Sequence, residues 1–168
     1  SSSNNVSEIK ESYLYSLYFL GIISFPISFG MVSVAPEFID VISGDKWSSA
    51  IIPLQILSIC GLIRSLNLAD PVYSSQNKPN YSFYIMMFMF TYLLLFLYPS
   101  ISYGGIIGAS ICITFGYFLN YIYSVSLLKK VSNLNGNDII KTMVLPLISS
   151  LMMLSLVIIS KEYLVLLI

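Results

Sequence analysis

Long apolar runs alternate with short polar segments along the 168-residue chain. Most of these runs come close to the length of about 20 residues that an α-helix needs to cross the hydrocarbon core of a bilayer. The runs lie at 12–35, 49–68, 81–98, 104–128 and 139–159, and a further one begins at 162–168. The pattern therefore predicts an all-α, polytopic transmembrane helical bundle of about five spans plus a truncated sixth.

Composition agrees with a membrane protein, since 57% of the residues are hydrophobic and 10% are charged. A soluble domain carries about 25% charged residues. The formal net charge is zero, so no nucleic-acid partner is expected. The chain has no histidine, which removes the commonest metal ligand and general base. Cys60 and Cys112 both lie inside apolar runs, where they are predicted to pack as small side chains. We therefore expect no catalytic centre, no metal site and no cofactor.

The polar segments indicate how the chain is oriented. Segment 1–11 is predicted to be a connecting loop, and together with 70–80 and 129–141 it falls on one side of the membrane. That side carries most of the basic residues, with Arg64 close to it; they are Lys10, Lys78, Lys129, Lys130 and Lys141, against Lys46 and Lys161 on the other side. Cytoplasmic loops carry an excess of Lys and Arg. The N-terminal end is therefore predicted to be cytoplasmic.

Arg64 is unusual because it stands near the end of a long apolar run, in GLIRSLNLADP. At 1.5 Å per residue it lies about 22 Å from Ser49, two turns or less from the edge of the hydrocarbon core. One interpretation is an anchor whose guanidinium reaches the lipid headgroups. Another turns Arg64 into a watery cavity beside Asn67, where its donor fork suits a phosphate. A third interpretation pairs it with Asp70.

Small residues recur every fourth position in the fourth run, at Gly104, Gly108, Cys112 and Gly116. This small-xxx-small pattern lets helix backbones approach closely in lipid. We predict a helix-packing seam. The alternative is a seam that slides during helix motion, with Asn120, the next residue of the stripe, facing a cavity.

The order of several motifs resembles a known family of membrane proteins. VAPEFIDVISGDKWSSAIIPLQILSICGLIRSL contains Gly44-Asp45-Lys46-Trp47 and then the LQILxxxGLLRSL-like run 54–66. A loop with a lysine follows at 76–79, and a glycine-led helix start at 105–109. Together they resemble, over about 13–152, the C-terminal half of bacterial polysaccharide flippases of the multidrug/oligosaccharidyl-lipid/polysaccharide exporter superfamily. The loop departs from the commoner Gly-Arg or Gly-Lys form, because Asn77 precedes Lys78.

The resemblance implies a transporter of 12 to 14 helices in two lobes, with this chain forming most of the second lobe. It implies alternating access and the flipping of oligosaccharide linked to undecaprenyl pyrophosphate across the bacterial cytoplasmic membrane. The expected partners are that lipid-linked substrate, membrane lipids and the missing N-terminal lobe. The predicted substrate-binding residues are Arg64, Asn67, Lys78 and Asn120. A membrane polymerase or ligase of the same pathway, and a small-molecule exporter of the same superfamily, are the alternatives.

Overall fold

The computed structural model describes residues 2–75, 78, 80–132 and 136–166, and within these ranges every regular element is a helix. The elements are α1 (Ser2–Ser43), a 3₁₀ helix (Asp45–Ala50), α2 (Ile51–Ser65), α3 (Ala69–Ser75), α4 (Asn80–Ser132) and α5 (Gly136–Leu166). Four segments of the described chain are long and apolar enough to cross a membrane: Glu8–Ile42, Lys46–Ser74, Asn80–Lys129 and Gly136–Ser160. The all-helical class is confirmed, whereas the count of about five spans plus a truncated sixth is not.

Helix α1 is longer than the predicted first span. It begins at Ser2, so segment 1–11, predicted to be a loop, is helical from its second residue. That segment holds no proline or glycine to stop a helix. The helix also continues through Pro36 and ends at Ser43, because the next residue, Gly44, has φ 71°; the Gly44 N–H donates to the Ile39 carbonyl at 3.1 Å. Glycine adopts this left-handed conformation without steric cost, which explains why the helix stops there.

Helix α4 folds back on itself at Gly105, where the backbone takes φ 56° and ψ −140°. The predicted runs 81–98 and 104–128 leave residues 99–103 for a tight turn, and this position is wrong: the helix continues through Pro99 and reverses one residue beyond Gly104. Only glycine adopts that combination of φ and ψ readily. The two arms, 80–104 and 106–132, then lie side by side, as the 5.3 Å between the ring centroids of Phe88 and Tyr123 shows.

Helix α5 contains both the predicted fifth span and most of the predicted sixth. It runs without a break from Gly136 to Leu166, so 162–166 is not a separate helix, and 167–168 lie outside the described residues. Lys161 and Glu162, the polar residues that suggested a boundary, are good helix formers. They therefore do not interrupt the helix.

The helices pack in the order α5, α1, α2, α4, with α3 against α4. Lys10 and Asp138 form an ion pair at 2.5 Å. Further along both helices, a Cβ added to Gly21 of α1 would lie 3.3 Å from the Cγ of Pro146 in α5. The second contact lies later than the first in both α1 and α5, so the two helices run parallel.

The buried core gathers several helix ends at one end of the bundle. It is centred on Leu17, Tyr73 and Leu128, none of which has any exposed side-chain surface. Around them lie Tyr13, Phe25, Leu62, Leu66, Ala69, Val72, Ile85 and Ile139. The start of α1, the end of α2, α3, both free ends of α4 and the start of α5 therefore lie together. The basic residues Lys10, Lys78, Lys129 and Lys141 belong to these same segments.

Candidate functional site

Arg64 lies in the last turn of α2, where the helix dipole favours a cation. Its side chain is exposed. Its Cζ stands 5.6 Å from the centroid of the Tyr117 ring, on the second arm of α4, in the geometry of a cation–π contact. Among the residues that the structure describes, no ion pair joins Arg64 to Asp70. The guanidinium is thus held by an aromatic face that leaves its hydrogen-bond donors available.

A groove between α1 and α2 extends along α2 as far as Ser65, the residue after Arg64, and we call it the serine groove. Small and hydroxylated residues line much of it, including Ser24, Ser28, Ser58, Gly61 and Ser65. Its volume is about 370 Å³. A Cβ on Gly61 would meet nothing within 4 Å, so this glycine leaves the groove open one turn before the arginine. The rest of its lining is apolar and comes from Ile27, Met31, Leu54 and Leu57, so the serine groove is an amphipathic path that carries several hydroxyl groups.

Asn67 and Asn120 belong to a hydrogen-bond network that we call the amide network. The Asn67 amide donates to the Asn120 Oδ1 at 3.4 Å and accepts from the Ser124 hydroxyl at 2.9 Å. The Asn120 amide donates to the Ile85 carbonyl at 3.0 Å, and the Tyr73 hydroxyl donates to the Ser124 carbonyl at 2.8 Å. Asn120 is 5% exposed. The network therefore ties the residues after α2 to α3 and to both arms of α4, and it places Asn120 in the interior.

Lys78 lies between α3 and α4 with an exposed side chain. Its N–H donates to the Tyr73 carbonyl at 2.9 Å, and its carbonyl accepts from the Tyr81 N–H at 3.3 Å. Within the described ranges no hydrogen bond or ion pair joins Lys78 to Arg64. The rest of the predicted loop, residues 76, 77 and 79, lies outside the described residues.

The stripe of small residues faces the first arm of α4. A Cβ on Gly116 would stand 2.5 Å from the Tyr92 Cε1, and one on Gly108 would collide with the Ser100 carbonyl oxygen. The carbonyl of Cys112 accepts a hydrogen bond from the Tyr92 hydroxyl at 3.3 Å. Gly104 differs, because a Cβ there would meet nothing within 4 Å. The stripe thus lies where the arms approach each other, except at Gly104.

Tyr117 and Ser124 were missed by the sequence analysis. Ser124 lies one turn beyond Asn120, and Tyr117 one turn before it, so both share its side of the helix. Tyrosine and serine are common throughout this chain, with 13 tyrosines among its 168 residues. Residue type alone therefore did not distinguish these two positions from the others.

The chemistry available at Arg64 and the serine groove is that of binding. A guanidinium recognises phosphate oxygens through paired hydrogen bonds, and serine hydroxyls donate to and accept from other hydroxyl groups. In the part of the chain that the structure describes, no group of three or more His, Cys, Asp and Glu side chains is placed to hold a metal ion.

Comparison with known proteins relates the chain to polysaccharide biosynthesis. Residues 1–52 match the family described as polysaccharide biosynthesis protein. The lipopolysaccharide biosynthesis protein WzxC of Escherichia coli is 30% identical over 125 residues, which is 74% of this chain and 25% of WzxC. The teichuronic acid biosynthesis protein TuaB of Bacillus subtilis is 35% identical over 79 residues, 46% of this chain and 16% of TuaB. The resemblance to polysaccharide biosynthesis proteins is thereby confirmed.

A third relative extends the likeness along the chain. A membrane protein of the cps region in Klebsiella pneumoniae is 26% identical over 162 residues, 92% of this chain and 32% of that protein. No solved structure matches the chain. In each of these alignments the chain spans at most about a third of the relative's length. Together with the four candidate spans of the described residues, these relatives support a multi-pass membrane protein.

Proposed function

We propose that this chain, a multi-pass membrane relative of polysaccharide biosynthesis proteins, is part of a transporter that flips lipid-linked oligosaccharide across the cytoplasmic membrane. The observation that carries the proposal is the exposed guanidinium of Arg64, which lies over the Tyr117 ring within an otherwise apolar bundle and directly precedes Ser65 of the serine groove in the sequence. A diphosphate with attached sugars is expensive to bring into a low-dielectric region unless positive charge and hydroxyl partners meet it. Arg64 supplies the charge. Ser58 and Ser65 donate their hydroxyl hydrogens to the Leu54 and Leu62 carbonyls, so their oxygens remain available as acceptors.

The amide network supports this proposal by fixing the turn that carries Arg64. The Asn67 N–H donates to the Arg64 carbonyl at 3.2 Å, while the Asn67 side chain is held by Asn120 and Ser124. In the proposed transporter Asn67 and Asn120 serve the substrate by positioning Arg64. Lys78, exposed at the same end of the bundle, meets the headgroup before it reaches Arg64.

The topology of the proposed transporter follows from the hairpin in α4. Each arm, 80–104 and 106–132, is long enough to cross the hydrocarbon core once. When the two arms are counted separately, there are five spans that alternate in direction. The basic helix ends then lie on one side of the membrane. By the excess of Lys and Arg, that side is cytoplasmic. The remainder of the protein supplies the other lobe, and the two lobes rock about the substrate as rigid bodies.

The test begins with deletion of the parent gene and localisation of the lipid-linked repeat units. We expect them to accumulate on the inner leaflet with loss of surface polymer. Single repeats on the outer face would instead indicate a polymerase or ligase, and no accumulation would indicate a small-molecule exporter. Either of these two results contradicts the proposal.

Complementation with variants then tests Arg64 itself. Arg64→Ala is expected to lower surface polymer about tenfold or more at equal protein level, since a charge-assisted hydrogen bond contributes about 1.5–3 kcal/mol. Arg64→Lys keeps the charge but loses the fork, so partial rescue is expected. Lys46→Ala, at the opposite end of the bundle, is the control. Unchanged polymer with Arg64→Ala would remove this residue from the mechanism.

A further inference from the structure

A second cleft, which we call the interface cleft, lies where the start of α1 meets the connection between α2 and α3. One wall carries polar groups of α1, namely Glu8, Ser12, Tyr13 and Ser16, and the other wall includes Leu68 and Val72. Its volume is about 410 Å³. Sites for small ligands occupy about 300–1,000 Å³, so the cleft is large enough for one.

The polar wall is a ladder along one face of α1. Glu8, Ser12 and Ser16 are spaced by four residues and therefore lie above one another. At 1.5 Å per residue the ladder is about 12 Å long. The headgroup layer on each side of the hydrocarbon core is about 5–8 Å thick. With Glu8, the first residue of the candidate span, placed among the headgroups, a ladder of this length would bring Ser16 to the first acyl carbons.

Tyr13 points to an occupant of the cleft. The residue is 5% exposed, yet no described residue forms a hydrogen bond with its hydroxyl. The hydroxyl is not among the buried polar atoms, so it keeps accessible surface, and Tyr13 lines the cleft. A ligand oxygen in the cleft that Tyr13 lines would supply the missing partner.

The carboxylate of Glu8 favours an occupant with a positive charge. Lys10, the nearest basic residue in sequence, is paired with Asp138, and within the described ranges no ion pair involves Glu8. The carboxylate at the headgroup end of the ladder is thus free for a cationic group. The opposite wall, at Leu68 and Val72, is apolar. The cleft therefore suits a molecule with a cationic head, oxygen acceptors behind it and an apolar body.

We propose that the interface cleft binds an aminophospholipid. Its ammonium pairs with Glu8, and its phosphate or ester oxygens accept hydrogen bonds from Ser12 and Tyr13. The first part of one acyl chain lies against Leu68 and Val72. The bound lipid stabilises the contact between α1 and α3 at the end of the bundle that holds the core. This inference is independent of what the protein transports.

The experiment uses the purified full-length protein and native mass spectrometry with three added lipids of identical acyl chains. The lipids carry ethanolamine, choline or glycerol headgroups. We expect the ethanolamine lipid to be retained most, because its ammonium keeps N–H donors that choline lacks. Glu8→Gln is expected to lower this retention about tenfold and Tyr13→Phe about threefold, as for the loss of one charged and one neutral hydrogen bond. Equal retention of the three lipids would overturn the proposal.

Two matched variants separate the cleft from the general surface. Glu11→Gln removes an equal charge one turn away, and Tyr15→Phe removes an equal hydroxyl from a ring that is 66% exposed. Neither residue lines the cleft, and neither variant is expected to change lipid retention. A photoactivatable ethanolamine lipid should label the peptide that contains Leu68 and Val72 in the unmutated protein. The assignment is wrong if Glu8→Gln retains as much lipid as the unmutated protein. It is also wrong if Glu11→Gln lowers lipid retention as much as Glu8→Gln does.

Discussion

The side chains of Asn67 and Asn120 meet at 3.4 Å, although 53 positions separate them along the chain. Asn67 follows the last turn of α2, and its N–H bonds the Arg64 carbonyl. Asn120 is buried on the second arm of α4 and also bonds the Ile85 carbonyl on the first arm. One amide pair therefore joins the arginine-bearing turn to both arms of the hairpin.

Removal of the Asn120 amide should destabilise the protein. Asn120→Leu leaves the Asn67 amide and the Ile85 carbonyl without this partner in the interior, which costs about 1–3 kcal/mol. Thermal unfolding of the purified full-length protein measures the loss. Ser126→Ala is the control, because Ser126 is exposed and bonds only the Ile122 carbonyl of its own helix. A melting temperature of Asn120→Leu equal to that of the control would contradict the network.

The reversal at Gly105 should not tolerate any side chain. At φ 56° and ψ −140°, Gly105→Ala is expected to cost about 1–3 kcal/mol, and Gly105→Asn should give no rescue because this region is accessible essentially to glycine alone. Gly104→Ala, next to it, has open space and no positive φ. It should leave stability unchanged. Protein yield and thermal unfolding compare the three variants, and equal behaviour of both alanine variants would argue against a turn here.

Two glycines with different surroundings should respond in opposite ways to an added methyl group. Gly116→Ala places a methyl group against the Tyr92 ring, and overpacking of this kind costs about 1–3 kcal/mol. Gly61→Ala, in the middle of α2, meets open space and should stabilise the helix by about 0.5–1 kcal/mol. Unfolding curves of the two variants should therefore shift in opposite directions. An unchanged or stabilised Gly116→Ala variant would mean that the arms do not meet at Gly116.

The ion pair between Lys10 and Asp138 predicts a rescue by charge exchange. Lys10→Glu and Asp138→Lys should each be destabilising, and the double variant should recover most of the loss. Both side chains are about one-third exposed, so the coupling should be small, about 0.2–1 kcal/mol. Unfolding measured at low and high salt checks this, since screening weakens an exposed pair. Additive single effects would show that α1 and α5 do not meet through these residues.

The proposed orientation predicts which ends of the helices are accessible from outside. A membrane-impermeant maleimide should label Lys46→Cys in intact cells, and Lys78→Cys and Lys129→Cys only after permeabilisation. The native Cys60 and Cys112 are both buried, so the unmutated protein provides a low background. The reverse labelling pattern would place the basic ends outside and overturn the proposed orientation.

Much of the fold was accessible from the sequence because hydropathy is a property of consecutive residues. Apolar runs longer than a bilayer thickness predict membrane helices wherever they occur. The helix boundaries were less accessible. The predicted runs ended at residues 35 and 98, next to Pro36 and Pro99, but both prolines lie inside helices, while the chain breaks at Gly44 and Gly105. A proline removes one hydrogen bond and kinks a helix, which membrane helices tolerate because neighbouring groups satisfy the freed carbonyl, whereas a positive φ changes the direction of the chain.

The candidate site also has features that the sequence indicates and contacts that only the tertiary structure decides. Arg64 stands out in the sequence because a charge within an apolar run is costly and must find a partner or water. Its partner Tyr117 is decided by the packing of α2 on α4, and no local pattern indicates it. The spacing of the small residues indicated a close helix contact, and the tertiary structure decided that the contact is with Tyr92 of the same hairpin. The sequence by itself determined an all-helical membrane chain related to polysaccharide biosynthesis proteins. Tertiary structure alone decided which polar groups meet, because contacts between distant residues depend on how whole helices pack.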